Sequence, residues 1–483
     1  MLTDYIEKDI MRRVKITEYF YELTTIKIKD IANRLRVSLN TIRRDINLLI
    51  DELKNYISNY ENVGNEVTII FMNNISKYDL VREIYSESKF LRICSRVIVE
   101  GFDYLEIADE EFLSVSKVFQ MKNKIFSFFE SIGVIEGYEN ISFNDDELTM
   151  RNLILALWIR CDYLEKYVDN RKWIESEKFV KELLKYQIKN INIKKREYQT
   201  LTLGCYLMIS RSKDYELVFP EEERQRIIED LYVYTIIKKL SKDFFSQYKL
   251  SDDEIVYFSF IYYLLVNETK NYSVILYNYY LTRKRWLLSS NIFIELLLEF
   301  ENEFNISLIN NIMFEKPLID FLGTSWKAMQ YFLLENYYYL SEEQILLSKK
   351  IRKIMTKVLK KDKNYYFTDD SIEKLAYQVS SILEKKIDKT IICIVTDNDN
   401  NHILYRSTLK RWLGNIEECI FDENVYYSLE ELENSSRYFK RIIVCEKNLA
   451  RLESSSQEIF LISRNSIKED ISLILDKLYN NCY

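Results

Sequence analysis

The sequence predicts a mainly α, multidomain protein that closes with a small α/β unit. Three observations carry this expectation. Glycine and proline number only 7 and 2 in 483 residues, and both interrupt helices. Apolar residues recur at helical spacing along most of the chain. After Lys386 that period gives way to short apolar runs alternating with helical ones.

The bulk numbers narrow the class. At roughly 150 residues per domain, the length implies about three to four domains. An apolar fraction of 47% and a charged fraction of 30% belong to a globular chain. Lys and Arg total 68 against 75 Asp and Glu, a net charge of −7. Seven cysteines lie dispersed at 94, 161, 205, 393, 419, 445 and 482, with no Cys-x-x-Cys pair. Such a set suits reduced thiols. With one histidine, His402, no metal site, cofactor or catalytic group is expected. The start "MLTDYIEKDIMRR" lacks a signal-peptide run. The strongest apolar runs, "LILALWI" and "FIYYLLV", fall far short of the roughly twenty residues that cross a bilayer. A cytoplasmic protein without membrane contact is expected.

Residues 1–73 read as a winged helix-turn-helix. Leu2 to Leu23 places Ile6, Ile10, Val14, Tyr19 and Leu23 at helical spacing, and "IKIK" is a short extended entry. In "DIANRLRVSLNTIRRDINLLIDEL", Ile31, Ala32 and Leu35 form one side of a short helix. Val37 plugs the turn, and Ser38 is a natural N-cap. Ile42, Ile46, Leu49 and Leu53 make the buried stripe of the next helix. The opposite face presents Asn40, Arg44 and Asn47, side chains able to read base edges. Ser38, Thr41, Arg43, Lys27, Lys29 and Arg36 are the expected phosphate contacts. "YENVGNEVTIIF", turning at Gly64-Asn65, is the wing. Between Ile26 and Leu49 the net charge is +4, so a basic footprint is local although the chain is acidic.

Residues 74–142 repeat the pattern weakly. A gap-free shift of 76 lays Ile31, Ala32, Val37, Ser38, Leu39 and Ile42 on Ile107, Ala108, Leu113, Ser114, Val115 and Val118. Its outward residues are Ser116, Gln120 and Asn123, with Ser114 as cap and Lys117, Lys122 and Lys124 nearby. Leu35 falls on Glu111 and Ile46 on Lys122, while Asp109, Glu110 and Glu111 oppose phosphate. This second helix-turn-helix is expected to touch the DNA backbone weakly or only to support the first.

Three helix starts share one signature: "FNDDELTMRNLILALW" from Phe143, "LSDDEIVYFSFIYYLL" from Leu250 and "FTDDSIEKLAYQVSSIL" from Phe367. Asn144…Glu147 and Ser251…Glu254 are expected capping boxes. The spacings suggest two helical domains, 143–270 and 271–386. "PEEERQRIIEDLYVYTIIKKL" reads as a helix with Pro220 at its first position. Residues 387–483 alternate: "TIICIVT", "IEECIFD", "RIIVCE" and "EIFLIS" as strands, with "NHILYRSTLKRWLG", "SLEELENSSRYF" and "IKEDISLILDKLY" as helices. That order gives a small parallel sheet, whose ligand loop would be "DNDNNH", 397–402.

The whole layout resembles the Mga/AtxA family of Gram-positive virulence regulators. These carry two amino-terminal helix-turn-helix units, two regulatory domains of the phosphotransferase-system type (PRDs) and an end domain similar to an enzyme II B component. "VSLNTIRRDI" by itself is also close to DeoR-type repressors, from which the long helical middle differs. The resemblance implies a transcriptional regulator, an activator and a homodimer. It implies A·T-rich promoter DNA read partly through deformability, and RNA polymerase as a further partner. In "DDEIVYFSFI" the PRD phosphoacceptor position falls on Ile261, and in the third copy on Gln378, so no phosphoacceptor is expected there. The end domain lacks the cysteine that enzyme II B components place after the first strand. Cys393 reads as a buried thiol, Asp397 and Asp399 oppose phosphoryl binding, and His402 reads as a partly exposed residue early in a helix. A protein-interaction scaffold, or a phosphotransferase component without DNA binding, remains the alternative.

Overall fold

A computed structural model of the chain describes residues 2–135, 146–186, 191–192, 195–230, 232–265, 268–269, 272–289, 291–326, 329–334, 336–360, 365–383, 390–413, 419–434, 441–450 and 459–482. Contacts divide it into two units, Met1–Leu383 and Glu384–Tyr483.

The first unit begins with α1 (Leu2–Tyr5) and α2 (Lys8–Leu23). The single helical pattern of the sequence is thus broken at Ile6–Glu7. Glu7 turns extended, and its carboxylate accepts from the Ser88 hydroxyl (2.6 Å) and the Phe90 amide (3.0 Å). Next come β1 (Thr25–Lys27), α3 (Ile28–Leu35), α4 (Leu39–Leu53), β2 (Ile57–Val63) and β3 (Glu66–Phe71). The extended entry is therefore shorter than "IKIK": Ile28 already opens α3. β1 pairs antiparallel with β3, and β3 with β2, in a three-stranded sheet. Gly64 takes φ +65° in the two-residue turn between β2 and β3, a backbone setting that glycine adopts freely. The α4 stripe is buried: Ile42, Ile46, Leu49 and Leu53 all sit in the core.

The following stretch folds as α5 (Lys77–Ser86), α6 (Lys89–Glu100), α7 (Tyr104–Glu110) and α8 (Val115–Ser131). Ser76, Ser88, Asp103 and Ser114 cap these helices in turn, each accepting from a first-turn amide.

Further helices are α9 (Glu147–Trp158), α10 (Asn170–Tyr186), α11 (Lys195–Arg211), α12 (Glu221–Asp230), α13 (Tyr232–Phe244) and α14 (Asp252–Leu264). A short pairing of β4 (Ile191–Asn192) with β5 (Glu268–Thr269) joins them. Three expectations are corrected here. The α9 cap is Asp146, which accepts from Thr149 N (3.1 Å); Asn144 lies outside the described residues. Pro220 precedes the helix, which starts at Glu221; α12 and α13 lie on either side of residue 231, which is outside the described residues. Ser251 does cap α14, but Glu254 does not close a box with it. Instead Glu254 binds the buried Arg151, with one contact at 2.7 Å. Arg151 also holds Glu147 (2.6 Å), which Arg211 holds as well (2.6 Å). The repeated glutamate of the helix-start signature thus ties α9, α11 and α14 together.

The first unit ends with α15 (Tyr272–Ser289), α16 (Asn291–Phe304), α17 (Ile312–Ser325), α18 (Glu342–Leu359) and α19 (Asp369–Leu383). A reciprocal capping box opens α18, between Ser341 and Gln344. Thr368 caps α19, accepting from Ser371 N (3.0 Å). One apolar core runs from Leu2 to Leu265 and takes in Trp326, Met329, Phe332 and Tyr337. A second, from Tyr279 to Leu383, fills α15–α19.

The second unit is a parallel sheet of β6 (Thr390–Val395), β7 (Cys419–Phe421), β8 (Arg441–Glu446) and β9 (Ile459–Ile462), in order β7-β6-β8-β9. Its helices are α20 (Asp399–Leu413), α21 (Leu429–Asn434) and α22 (Ile467–Cys482). Alternate residues serve opposite faces. Ile392, Ile394, Ile442 and Val444 pack on Tyr405, Leu409, Ile471 and Ile474, while Cys393, Val395, Ile443 and Cys445 pack on Tyr426 and Leu432. No helix among the described residues is long and apolar enough to cross a membrane.

Candidate nucleic-acid interface

The candidate interface is built on α3, the turn 36–38 and α4. Arg36 adopts the left-handed conformation (φ 54°, ψ 47°) that ends α3, its N–H returning to Ala32 and Asn33. Val37 N bonds Ala32 O (3.0 Å). Ser38 accepts from Thr41 N at 3.1 Å, and its Oγ lies 2.9 Å from Thr41 Oγ1. Such a cap contributes about 1 kcal/mol. Beyond it Asn40, Arg43, Arg44 and Asn47 are all exposed on α4, opposite the buried stripe, while Thr41 is half-buried. Lys27, Lys29 and Arg36 are exposed as well. Lys27 lies 3.7 Å from Glu66 of the wing, and Arg43 donates to Asn65 Oδ1 (3.4 Å) at its tip. The wing strands themselves carry Glu61 and Glu66 and no Lys or Arg.

Residues 12–54 match the DeoR-like helix-turn-helix domain. The chain therefore carries an amino-terminal helix-turn-helix of that kind, and this domain supports a role in DNA-binding regulation. A comparison with curated proteins found no match.

Two charged residues of this stretch leave the outward face. Asp45 is fully buried and receives Arg12 of α2 at 2.7 and 3.3 Å. Arg34 turns from the candidate face toward the segment before α18: it donates to Leu340 O and lies 4.0 Å from the Tyr339 ring. One cation and one anion are withdrawn together, so the outward net charge between Ile26 and Leu49 stays at +4. Sequence reasoning missed the Arg12–Asp45 pair. The signal was present in the phase, since position 45 falls between Ile42 and Ile46 on the core-facing side.

The second helix pair repeats the first at the backbone. Phe112 takes φ 53° where the shift of 76 aligns it with Arg36, and Leu113 N bonds Ala108 O (2.9 Å) as Val37 bonds Ala32. Ser114 caps α8 through Lys117 N (3.3 Å). Ser116, Lys117, Gln120 and Asn123 are exposed. The two misfits of the repeat are compensated inside the fold. Buried Glu111, in place of Leu35, takes Arg92 (3.1 Å). Lys122, in place of Ile46, lies 5.1–5.8 Å from the rings of Phe102, Tyr104 and Phe126. Glu106 and Glu110 pair with Arg96. Sequence reasoning also overlooked that Phe112 and Phe119 stand where Arg36 and Arg43 stand in the first pair. They are 92% and 54% exposed, so the second face offers apolar rings where the first offers guanidinium groups.

The positions weighed for phosphate chemistry belong to elements other than α3, the turn and α4. Ile261 is buried against Gly204, and Gln378 is exposed. Cys393 is buried, and its Sγ faces Asp422 Oδ2 at 3.6 Å. The loop after β6 is shorter than 397–402, because Asp399 already begins α20. Glu446 fills the carboxyl end of β8: it accepts from Asp397 N (3.1 Å), Asn401 Nδ2 (2.8 Å) and Tyr405 OH (3.2 Å). His402 corrects an expectation, being buried rather than partly exposed. Burial first, and then Arg406, hold its pKa below the ordinary histidine value, and its Nδ1 has no hydrogen-bond partner among the described residues.

Proposed function

We propose that this chain is a DNA-binding transcriptional regulator of the Mga/AtxA type, an activator that acts as a homodimer. On this reading Asn40, Arg44 and Asn47 meet base edges in the major groove, and Lys27, Lys29, Arg36, Ser38, Thr41 and Arg43 hold phosphates. The supporting observation is the capped α4, whose buried stripe leaves one exposed polar face within the matched helix-turn-helix. The larger type draws its support from the order of parts: two helix pairs, a long helical middle and a parallel α/β end. The PRD-like and enzyme II B-like domains, residues 143–270, 271–386 and 387–483, would carry dimerisation and control. The natural targets are A·T-rich promoters, with RNA polymerase beside them, in the cytoplasm.

A gel shift on the chain's own upstream DNA tests the reading at low and moderate salt. Wild type is expected to bind with an affinity that falls steeply with salt. Arg44→Ala is expected to weaken specific binding by about tenfold to a hundredfold, a loss of about 1–3 kcal/mol. Equal binding by both proteins, or binding by neither, would leave the scaffold alternative standing.

A further inference from the structure

A small cavity of about 90 Å³ lies among α17, α19 and residues 330, 333, 334 and 336, with Asp320, Thr324, Asn336, Asp370, Lys374 and Gln378 in its lining. Its charges do not balance. Asp320 is matched by Lys316 (2.7 Å) and Asp370 by Lys15 (3.6 Å). Lys374 makes no hydrogen bond or ion pair among the described residues, although it is half-buried. Burial holds its pKa below the ordinary lysine value; Arg196, Lys316 and Lys77 push the same way, and Asp320 opposes them. An ammonium drawn out of water beside three further cations is costly unless an anion joins it. Gln378 likewise has no partner among the described residues, and Asn336 uses only Oδ1, toward Lys77 (3.0 Å). Two amide groups are therefore free to donate beside the unmatched ammonium.

We propose that this cavity binds a small anion, a phosphate or carboxylate group, through Lys374 with Gln378 and Asn336 as hydrogen-bond donors. The volume suits an anionic head group. Its walls also hold the DNA-binding unit. Lys15 of α2 reaches Asp370. Glu18 of α2 accepts from Tyr337 N (2.5 Å) and Lys77 (3.1 Å). Tyr377 OH donates to Glu22 (2.7 Å). Occupancy thus bears on the elements that seat α2, and α2 braces α4 through Arg12 and Asp45. That the anion regulates DNA binding rests on the function proposed above; that it binds does not.

Titration calorimetry and thermal unfolding of the full chain, without DNA, test the site. Inorganic phosphate and acetate are the probes, with ionic strength balanced by chloride. Saturable binding and stabilisation by at least one probe is expected, with affinity lowered at least tenfold in Lys374→Met. Gln378→Glu, at an exposed position, places a carboxylate in the lining and is expected to lower it comparably. Preference for phosphate over acetate, or the reverse, identifies the group. No saturable binding, or binding equal in wild type and both variants, overturns the site. If the bound probe leaves DNA affinity unchanged at matched ionic strength, the regulatory part fails and the site stands. If the chain binds no DNA, the calorimetry still decides the site.

Discussion

At position 45 an aspartate points inward on a helix expected to face polyphosphate. Its charge does not oppose DNA, because Arg12 neutralises it inside the fold. Position 402 gives the same lesson. A histidine early in a helix reads as half-exposed, yet His402 is 6% exposed, because its exposure is set by packing that helical phase alone does not specify. His402 has a lowered pKa, so the unfolded chain binds a proton at a higher pH than the folded one. Its contribution to stability is complete above the unfolded value of about 6.5 and is lost as pH falls through the folded pKa. Thermal melts of the end unit at pH 7.5 and 5.5 are expected to show a drop that shrinks in His402→Gln. An undiminished drop would assign it to other groups.

At the scale of elements, the legible features were those fixed locally. Ser38 and Ser251 cap the helices they were read to cap. The stripe Ile42, Ile46, Leu49 and Leu53 is buried as its period demanded, and the end unit is the parallel sheet its alternation implied. What escaped were choices made by distant residues. Glu254 has the spacing of a box partner, but Arg151, 103 positions away, offers a full charge in a dry setting. Phe112 and Phe119 escaped because alignment of apolar anchors says nothing of the face between them. The second helix pair lacks the first pair's arginines there, so Lys117→Glu is expected to change DNA affinity and its salt slope little, by less than one counterion's worth. A clear fall in slope would show that α8 does touch the backbone. Lys122 is unsuited to this test, since the rings around it make its charge part of the fold.

Over the whole molecule, the buried network of Arg151, Glu147, Glu254 and Arg211 joins helices drawn from 118 positions of chain, α9 to α14. Arg151→Met leaves Glu254 without its cation while Glu147 keeps Arg211. The expected cost is about 3–5 kcal/mol in denaturant unfolding monitored by far-ultraviolet circular dichroism. A second change, Glu254→Leu, is expected to recover part of it. A loss unchanged by the second substitution would point to packing rather than charge. A different consequence follows from β1. The matched stretch stops at Lys54, yet β1 lies inside it and, among the described strands, pairs only with β3, residues 66–71, outside it. A fragment trimmed to the match would present an unpaired strand edge and uncover Ile26, which is otherwise buried. The smallest excisable reading head therefore extends past Phe71, and its hairpin is a clasp on the turn-forming helices before it is any kind of wing.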